Sequence, residues 1–338
     1  MVDVGDRNLT LMDHANRLDP DGSEATIVMM LAQVNEILLD SVWMEGNLPT
    51  GHQTTVQTGQ PEPQFRKING GVPVTKGETA QVTETTAMLE DFSSCDVDAA
   101  NLNGNAAAFR LNESRMHLEG MSQKMAETMF YGSTVQDPAS FLGLAPRYSD
   151  STAKNGQNII KAGGVGSDNT SIWLVGWDEM TCSCIFPKGS RAGLVHEDLG
   201  IETVNVASSS EDVGIQNARM RAYSDHYQWK AGLCLKDWRY VVRICNIDVS
   251  SLVNDPTGAT QNILELMLRA LHTMQNLTTV KPVFYVNRTV HAMLDIQAQN
   301  KGNLYLTAGE EEGRLKVALR GVPIRRCDVL LETEDLVV

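Results

Sequence analysis

A stretch of 38 residues, Pro49 to Thr86, has almost no side chains that could build a hydrophobic core. It contains nine threonines, and its apolar residues other than proline are Val56, Phe65, Ile68, Val72, Val74, Ala80 and Val82. Connections of this length without a core of their own are uncommon inside compact domains and are usually functional, disordered or linker-like. The central question posed by this sequence is therefore what this segment packs against.

The same segment contains signals for turns and strands. Gly59, the pair Gly70–Gly71 and Gly77 mark turns. The stretch VPVTKGETAQVTE, residues 72–84, alternates between apolar and polar side chains. This alternation predicts the two strands of a long hairpin.

The composition indicates a globular protein of one large domain or two to three smaller ones. The chain has 338 residues, of which 42% are hydrophobic and 21% charged. Its formal charge of −14 argues against free binding to nucleic acid, which favours a basic surface. No window of eighteen apolar residues predicts a membrane span, and the first twenty residues do not resemble a signal peptide. We therefore expect the six cysteines to be reduced and cytosolic.

Two long helices are predicted in the first half of the chain. Asp21 and Glu24 have the spacing of a capping box, and an amphipathic pattern continues from there to Gly46. Residues 106–131 form the longest helical pattern, and Gly132 follows at the position of a C-terminal cap. One face of this second helix is expected to carry Leu111, Leu118, Met121, Met125 and Met129 as core residues.

From about residue 171 the apolar period changes to two, which predicts strands. The stretches SIWLVGW, CSCIFP and AGLVHE are short candidates, and residues 219–249 are expected to form one long hairpin. The last third is mixed: a helical stripe over 264–274, a buried strand over 282–286, and a helix capped by Asn287. Two final strands are expected to meet at Gly321.

The sequence contains few candidates for catalytic or metal-binding residues. Cys182 and Cys184, completed by His196 or Cys234, could bind a metal, but no second cysteine pair supports zinc, and buried thiols explain the spacing better. Asp225 and His226 are neighbours on a predicted strand and should face opposite sides, so they do not form a dyad. We therefore predict no catalytic, cofactor-binding or metal-binding residues, no cofactor, and no enzymatic activity.

Several long stretches resemble major capsid proteins of tailed bacteriophages, particularly of the short-tailed type. They include LPTGHQTTVQTG, FRKINGGVPVTKGETAQVTE and DAANLNGNAAAFRLNESRMHLEGMSQKMAETMFYG. The resemblance to the same family extends to three later stretches: IWLVGWDEMTCSCIFPKGSRAGLVHEDLG, FYVNRTVHAMLDIQAQNKGNLYLT and LRGVPIRRCDVLLETE. The resemblance covers the chain from about residue 21.

The resemblance implies an α+β protein with the Hong Kong 97-like capsid fold. Its parts would be an N-terminal arm and helix (1–48), an extended loop (49–86), a peripheral domain (87–250) with a spine helix (106–131), and an axial domain (251–338). The hairpin predicted at 219–249 precedes the elements of 262–331, so their order departs from the founding member of the fold, as if permuted.

The resemblance also implies self-assembly into pentamers and hexamers of an icosahedral head that encloses double-stranded DNA. The extended loop would contact neighbouring subunits through Phe65, Arg66, Lys67, Ile68, Val72 and Val74. Scaffolding, decoration and portal proteins would be further partners, with no membrane partner. The protein would be a virion component, assembled in the cytoplasm of the bacterial host. The alternatives are another self-assembling phage or encapsulin-like shell protein and, with less support, a metal-dependent enzyme.

Overall fold

The computed structural model describes residues 33–102, 105–206, 218–255, 261–301, 306–311 and 314–337. The α-helices within these ranges are α1 (Ile37–Asp40), α2 (Val97–Asn101), α3 (Ala106–Tyr131), α4 (Val249–Asn254), α5 (Ile263–Thr273) and α6 (Arg288–Lys301). The strands are β1 (Trp43–Glu45), β2 (Gly51–Gly59), β3 (Glu78–Thr85), β4 (Ala87–Asp96), β5 (Ile159–Lys161), β6 (Asn169–Trp177), β7 (Cys182–Phe186), β8 (Leu194–Val206), β9 (Ala218–Leu235), β10 (Val241–Asp248), β11 (Lys281–Val286), β12 (Leu306–Glu311), β13 (Arg314–Leu319) and β14 (Val322–Arg326).

The chain divides into two compact units, each built from separated stretches of sequence. The first comprises Met1–Gln33, Met88–Met125 and Gly193–Trp229, and the second comprises Val34–Ala87, Ala126–Ala192 and Lys230–Val338. The second unit joins strands from both sides of residue 250, because β10 and β11 both pair with β6. The strands on the two sides of residue 250 therefore belong to one sheet.

Strand β6 is the centre of the sheet in the second unit. It pairs antiparallel with β10 on one side and β11 on the other, and all nine of its residues are buried. Its side chains point alternately to the two faces of the sheet. Ile172 and Leu174 join the core cluster that contains Met267 and Leu271 of α5, while the Trp173 ring packs near Phe130 and Tyr148.

The C-terminal tail is held in this unit by a buried polar network. The Glu334 carboxylate pairs with Arg243 at 2.8 Å and accepts hydrogen bonds from Tyr131 at 2.5 Å and from Ser171. Asn246 exchanges two hydrogen bonds with the backbone of Val337, at 2.9 and 3.0 Å. Because a buried charge is tolerated only with such partners, this network fixes the position of residues 334–337 in the fold.

The last third of the chain follows the sequence-based expectations closely. Helix α5, the buried strand β11 and the pair β13–β14 lie where they were predicted. The Asn287 side chain accepts a hydrogen bond from the backbone N–H of Val290 at 2.8 Å, which confirms the helix cap. Gly321 has a φ of +82°, a backbone conformation that suits glycine at the turn between β13 and β14.

The predicted hairpin over residues 219–249 is wrong. Both of its strands exist as β9 and β10, but they do not pair with each other. Strand β9 forms a long antiparallel hairpin with β8, from Leu194↔Trp229 to Val206↔Ala218, whereas β10 pairs with β5 and β6. Alternation in sequence identifies a strand but not its partner, and a 3-10 helix at Trp238–Tyr240, capped by Asp237, redirects the chain between them.

The helix predicted to continue to Gly46 is also wrong in its last part; residues before Gln33 lie outside the described residues. Helix α1 ends at Asp40, and Ser41 has an extended backbone. Trp43–Glu45 then form strand β1, which pairs parallel with β7 from Trp43↔Cys184 to Glu45↔Phe186. A sheet edge offers backbone hydrogen bonds that override the weak helical propensity of a short segment.

Helix α3 has its predicted bounds, but its buried face differs from the predicted one. Met121, Met125 and Met129 are buried as expected, whereas Leu111 and Leu118 are 54% and 37% exposed. The buried positions earlier in the helix are Phe109 and Glu113. Residues 109, 113, 121, 125 and 129 differ by multiples of four, so the true stripe follows the i, i+4 row of the helix. No helix in the described part of the chain is long and apolar enough to cross a membrane.

Candidate subunit-contact surface

The segment around residues 49–86 folds as an isolated two-stranded hairpin. Strands β2 and β3 pair antiparallel from Gly51↔Thr85 to Gly59↔Glu78, and they form a sheet of their own. Two strands were predicted, but both were expected within residues 72–84. The first instead lies at Gly51–Gly59. This strand is rich in threonine and has no apolar face, but its backbone groups pair with those of β3, and that pairing is enough to form a strand.

A hydrogen-bonded turn fixes the base of the hairpin. The Asn47 side chain donates to the carbonyl of Gln53 and accepts from its N–H, both at 2.8 Å. Leu48 and Gly51 bond to each other's backbone across the turn, and the Thr86 N–H donates to the carbonyl of Thr50 at 3.0 Å. The two chain ends that enter the hairpin are therefore clamped together.

Two glycines allow close backbone packing at this base. A Cβ atom on Gly51 would lie 2.0 Å from the carbonyl oxygen of Glu84, and one on Gly232 would lie 2.6 Å from that of Thr85. Such distances exclude any side chain at either position unless the backbone moves. The end of β9 that carries Gly232 thus lies directly against β3.

A buried ion pair fastens β3 to the rest of the second unit. Glu84 binds Arg147 through both carboxylate oxygens, at 2.5 and 2.7 Å, and the two side chains are 8% and 12% exposed. Arg147 also donates to the carbonyls of Leu142 and Gly143, both at 3.1 Å. A bidentate pair with further acceptors for the guanidinium is the strong form of a salt bridge.

The tip of the hairpin, unlike its base, is exposed to solvent. Phe65, Ile68 and Val74 are fully exposed, Val72 is 46% exposed, and Arg66 and Lys67 are exposed as well. A turn orders part of this tip: Gly70 donates to the carbonyl of Lys67 at 3.0 Å, and Arg66 donates to that of Gly70 at 2.7 Å. Residue Asn69 has a φ of +63°, in the region that asparagine tolerates better than most residues.

The structure thus places the six predicted contact residues on one projecting tip, the segment 60–77. Four of them, Phe65 to Ile68, lie in or next to the turn, and Val72 and Val74 lie on the returning chain. The base is held by Asn47, Glu84 and Arg147, none of which was predicted from the sequence. Glu84 and Arg147 are 63 residues apart, and no local pattern in the sequence marks them as partners.

The described residues contain no group of three or more His, Cys, Asp or Glu side chains placed to hold a metal ion. All six cysteines are free and buried. Burial raises the pKa of the Cys184 thiol to about 12 and that of Cys182 well above its usual value. These thiols are therefore protonated at neutral pH and act as small apolar core residues.

Asp225 and His226 face opposite sides of β9, as predicted from strand alternation. Asp225 pairs with Arg110 at 2.8 Å and with His196 at 2.9 Å. The His226 ring instead stacks on Phe92, with ring centroids 4.4 Å apart. Neighbours on a strand cannot act on one substrate from opposite faces, so these two residues do not form a catalytic dyad.

Comparison with known proteins identifies the chain. The family model described as Major capsid protein GP7 matches residues 19–338. A near-atomic structure of bacteriophage Epsilon15 contains a chain that is 35% identical, with a TM-score of 0.78; the match covers 100% of this chain and 99% of that one. A search of curated protein sequences found no significant match.

Other structures are much more distant. The capsid of bacteriophage JBD30 is 8% identical with a TM-score of 0.43, covering 92% of this chain and 99% of that one. The SrpI encapsulin of Synechococcus elongatus is 9% identical with a TM-score of 0.41, covering 71% and 96%. The family match spans the core, the hairpin and the C-terminal tail described above. The chain therefore belongs to the GP7 family of major capsid proteins: it has the Hong Kong 97-like fold, and it assembles with copies of itself into the capsid of a phage virion.

Proposed function

We propose that the projecting tip of the hairpin, residues 60–77, joins neighbouring subunits of the capsid. Its contact residues are Phe65, Arg66, Lys67, Ile68, Val72 and Val74. The observation that carries this proposal is the full exposure of Phe65, Ile68 and Val74 at the end of one projection. Burying side chains of this size stabilises an assembly by roughly 1.5–3 kcal/mol each, so a second subunit is a natural place for them.

The contrast between base and tip supports this role. The base is fastened by a buried ion pair and by close glycine packing. The tip has neither, and a two-stranded ribbon without further partners is only marginally stable in water. A rigid base with an unsatisfied apolar end is the design expected of an arm that completes its packing on another chain.

We propose the remaining assignments from the same family membership. Residues 1–48 form the arm and helix, 49–86 the extended loop and Ala106–Tyr131 the spine helix. Residues 87–250 contribute the peripheral domain and 251–338 the axial domain, and the two share the sheet around β6. The subunits form pentamers and hexamers of an icosahedral head, assembled in the bacterial cytoplasm.

The head would enclose double-stranded DNA without reading its sequence. The formal charge of −14 supports this, because an acidic wall does not retain DNA through phosphate contacts. Scaffolding, decoration and portal proteins would be the other partners. The chain itself would have no enzymatic activity and no membrane partner.

The tip proposal is tested with a matched pair of valine substitutions. Val74 and Val135 are both almost fully exposed, at 101% and 91%, but only Val74 lies on the hairpin tip. We expect Val74→Asp to reduce the yield of closed particles strongly, because a carboxylate would have to be buried at a subunit contact. Val135→Asp should leave the yield within twofold of wild type. Electron microscopy and sedimentation of the purified protein measure both.

Circular dichroism and solubility of the unassembled subunits serve as the folding control. Because Val74 touches no core, both variants should fold like wild type. Equal particle yields from the two variants would show that the tip does not form the contact.

A further inference from the structure

The base of the hairpin contains a histidine whose ring nitrogen acts as a hydrogen-bond acceptor. His52 is the second residue of β2, and its Nδ1 accepts a hydrogen bond from the backbone N–H of Asn47 at 3.3 Å. A backbone N–H can only donate, so Nδ1 carries a lone pair and the proton of the neutral ring lies on Nε2. A protonated imidazole has an N–H on both nitrogens and no acceptor. The bond from Asn47 therefore exists only while His52 is neutral.

This bond belongs to the turn that closes the base. The side chain of Asn47 also holds the backbone of Gln53 through two hydrogen bonds of 2.8 Å. Asn47 thus binds two consecutive residues of β2, one through its own backbone and one through its side chain. Protonation of His52 would remove one of these three bonds and bring two N–H groups face to face.

The surroundings of His52 oppose a positive charge on its ring. Partial burial and the ammonium group of Lys236 hold the pKa of His52 below its ordinary value. Lys236 follows directly after β9, and its Nζ donates a hydrogen bond to the carbonyl of Glu179 at 2.8 Å. Because this bond keeps the ammonium group in place, a proton on His52 would add a like charge beside it.

The other charged groups at this base do not reverse that effect. Glu84 lies directly opposite His52 in the β2–β3 pairing, but Arg147 already binds both of its carboxylate oxygens. Glu45 and Lys188 are exposed and have opposite signs; Glu45 binds the loop after β7, and the backbone of Lys188 binds the turn. Solvent and salt screen such exposed charges. Burial and the nearby ammonium group therefore favour the neutral ring.

We propose that His52 is an acid-sensitive latch: its neutral form fastens the base of the hairpin, and its protonation releases that base. The folded subunit binds this proton less readily than the unfolded chain does, because only folding brings the Asn47 N–H and Lys236 to the ring. The latch therefore contributes fully above the ordinary pKa of histidine, about 6.5. Its contribution is lost as the pH falls through the lower pKa of His52 in the folded subunit. This inference concerns the base and does not depend on what the tip contacts.

Hydrogen exchange of the backbone amides of residues 51–59 tests the latch in full-length subunits. Rates at pH 5.0 and 7.5 are each divided by the intrinsic rate of the unfolded chain at that pH. In wild type we expect opening of this segment to be about two- to fivefold more frequent at pH 5.0, the scale of a partly exposed charge contact. The buried strand β10 of the same unit reports any change in global stability, and only a change beyond that of β10 supports the latch.

Two variants address the two partners of the mechanism. His52→Gln keeps a side-chain acceptor that does not titrate, so it should remove the additional opening in acid. Lys236→Met keeps an apolar side chain without the charge. Because no cation then opposes the proton, opening of 51–59 should begin at a higher pH than in wild type. A purely structural role of Lys236 would not move this midpoint.

His291→Gln serves as the matched control, because His291 lies on helix α6 of the same unit, outside the hairpin. It should leave the pH dependence of residues 51–59 unchanged. If His52→Gln does not fold, the midpoint in Lys236→Met decides the test alone. The proposal is overturned if wild type opens equally often at both pH values, if the dependence survives His52→Gln, or if Lys236→Met leaves the midpoint where it was.

Discussion

At the scale of residues, the hairpin depends on one ion pair that joins distant parts of the sequence. Glu84 is buried and the Arg147 side chain is 12% exposed; both carboxylate oxygens of Glu84 bind Arg147, whose guanidinium also donates to backbone carbonyls. Burying two charges carries a large desolvation penalty, which their mutual attraction and the carbonyl acceptors of Arg147 offset. Removing only one of the two charged side chains should therefore destabilise the protein more than removing both.

Arg147→Met should therefore destabilise the folded subunit. The substitution leaves the Glu84 carboxylate buried without its partner, so the free energy of unfolding should fall by about 3–5 kcal/mol. Adding Glu84→Met should recover most of that loss, because the buried charge is then gone. Chemical denaturation of unassembled subunits, followed by circular dichroism, measures both effects.

A surface ion pair provides the control for this prediction. Arg239 pairs with Asp237 at 2.7 Å, but the Arg239 side chain is 47% exposed. Arg239→Met should therefore cost no more than about 1 kcal/mol. A loss as large as that of Arg147→Met would mean that burial does not set the strength of the Glu84–Arg147 pair.

At the scale of elements, the hairpin combines a paired stem with an unpaired end. Strands β2 and β3 satisfy each other's backbone over Gly51–Gly59 and Glu78–Thr85. Between them, residues 60–77 form no strand, and almost all of them are exposed. Exposed segments with few backbone hydrogen bonds are the preferred sites of proteolysis.

We therefore expect trypsin to cut unassembled subunits first within 60–77, at Arg66, Lys67 or Lys76. Assembled particles should be protected there, because the tip would lie against another subunit. Cleavage at Lys154, which is exposed in a turn outside the hairpin, provides a reference rate in each sample. Mass spectrometry of timed digests identifies the sites. Equal rates of tip cleavage before and after assembly would contradict the proposed contact.

At the scale of the whole molecule, charge opposes assembly. Each chain carries a formal charge of −14, so copies repel one another as they approach. Arg66 and Lys67 place two cations on the projecting tip, beside Phe65. A single exposed ion pair contributes only about 0–1 kcal/mol, but a closed shell repeats the contact at every subunit.

Reversing both tip charges with Arg66→Glu and Lys67→Glu should therefore impair assembly without unfolding the subunit. The defect should be partly relieved by salt, because screening weakens repulsion between exposed charges. Lys154→Glu with Lys161→Glu makes the same change in net charge at two exposed positions outside the tip. Particle yield against ionic strength measures each double variant.

The two double variants separate a local effect from a global one. If only the tip variant loses particles at low salt, the two cations act at the subunit contact. If both lose them equally, net charge alone limits assembly. If the tip variant assembles like wild type at low salt, the apolar residues hold the contact without the cations.

Local sequence patterns determined a large part of this protein. The bounds of α3, the strands β6, β7 and β11, the cap at Asn287 and the turn at Gly321 all follow from periodicity and from the backbone preferences of single residues. The deficit of core residues in 49–86 likewise indicated a segment without a hydrophobic core of its own. Each of these features depends on residues within a few positions of one another.

Only the tertiary structure decided the features that depend on distant partners. It assigned β9 to β8 rather than to β10, ended α1 at a sheet edge, and rotated the buried stripe of α3 away from Leu111 and Leu118. It also brought Arg147 to Glu84 and His117 to Asp91. A strand has two edges and a helix has a full surface, so the local pattern leaves several partners equally suitable. The choice among them is made by the packing of the whole unit, where buried charges must meet and backbone groups must pair.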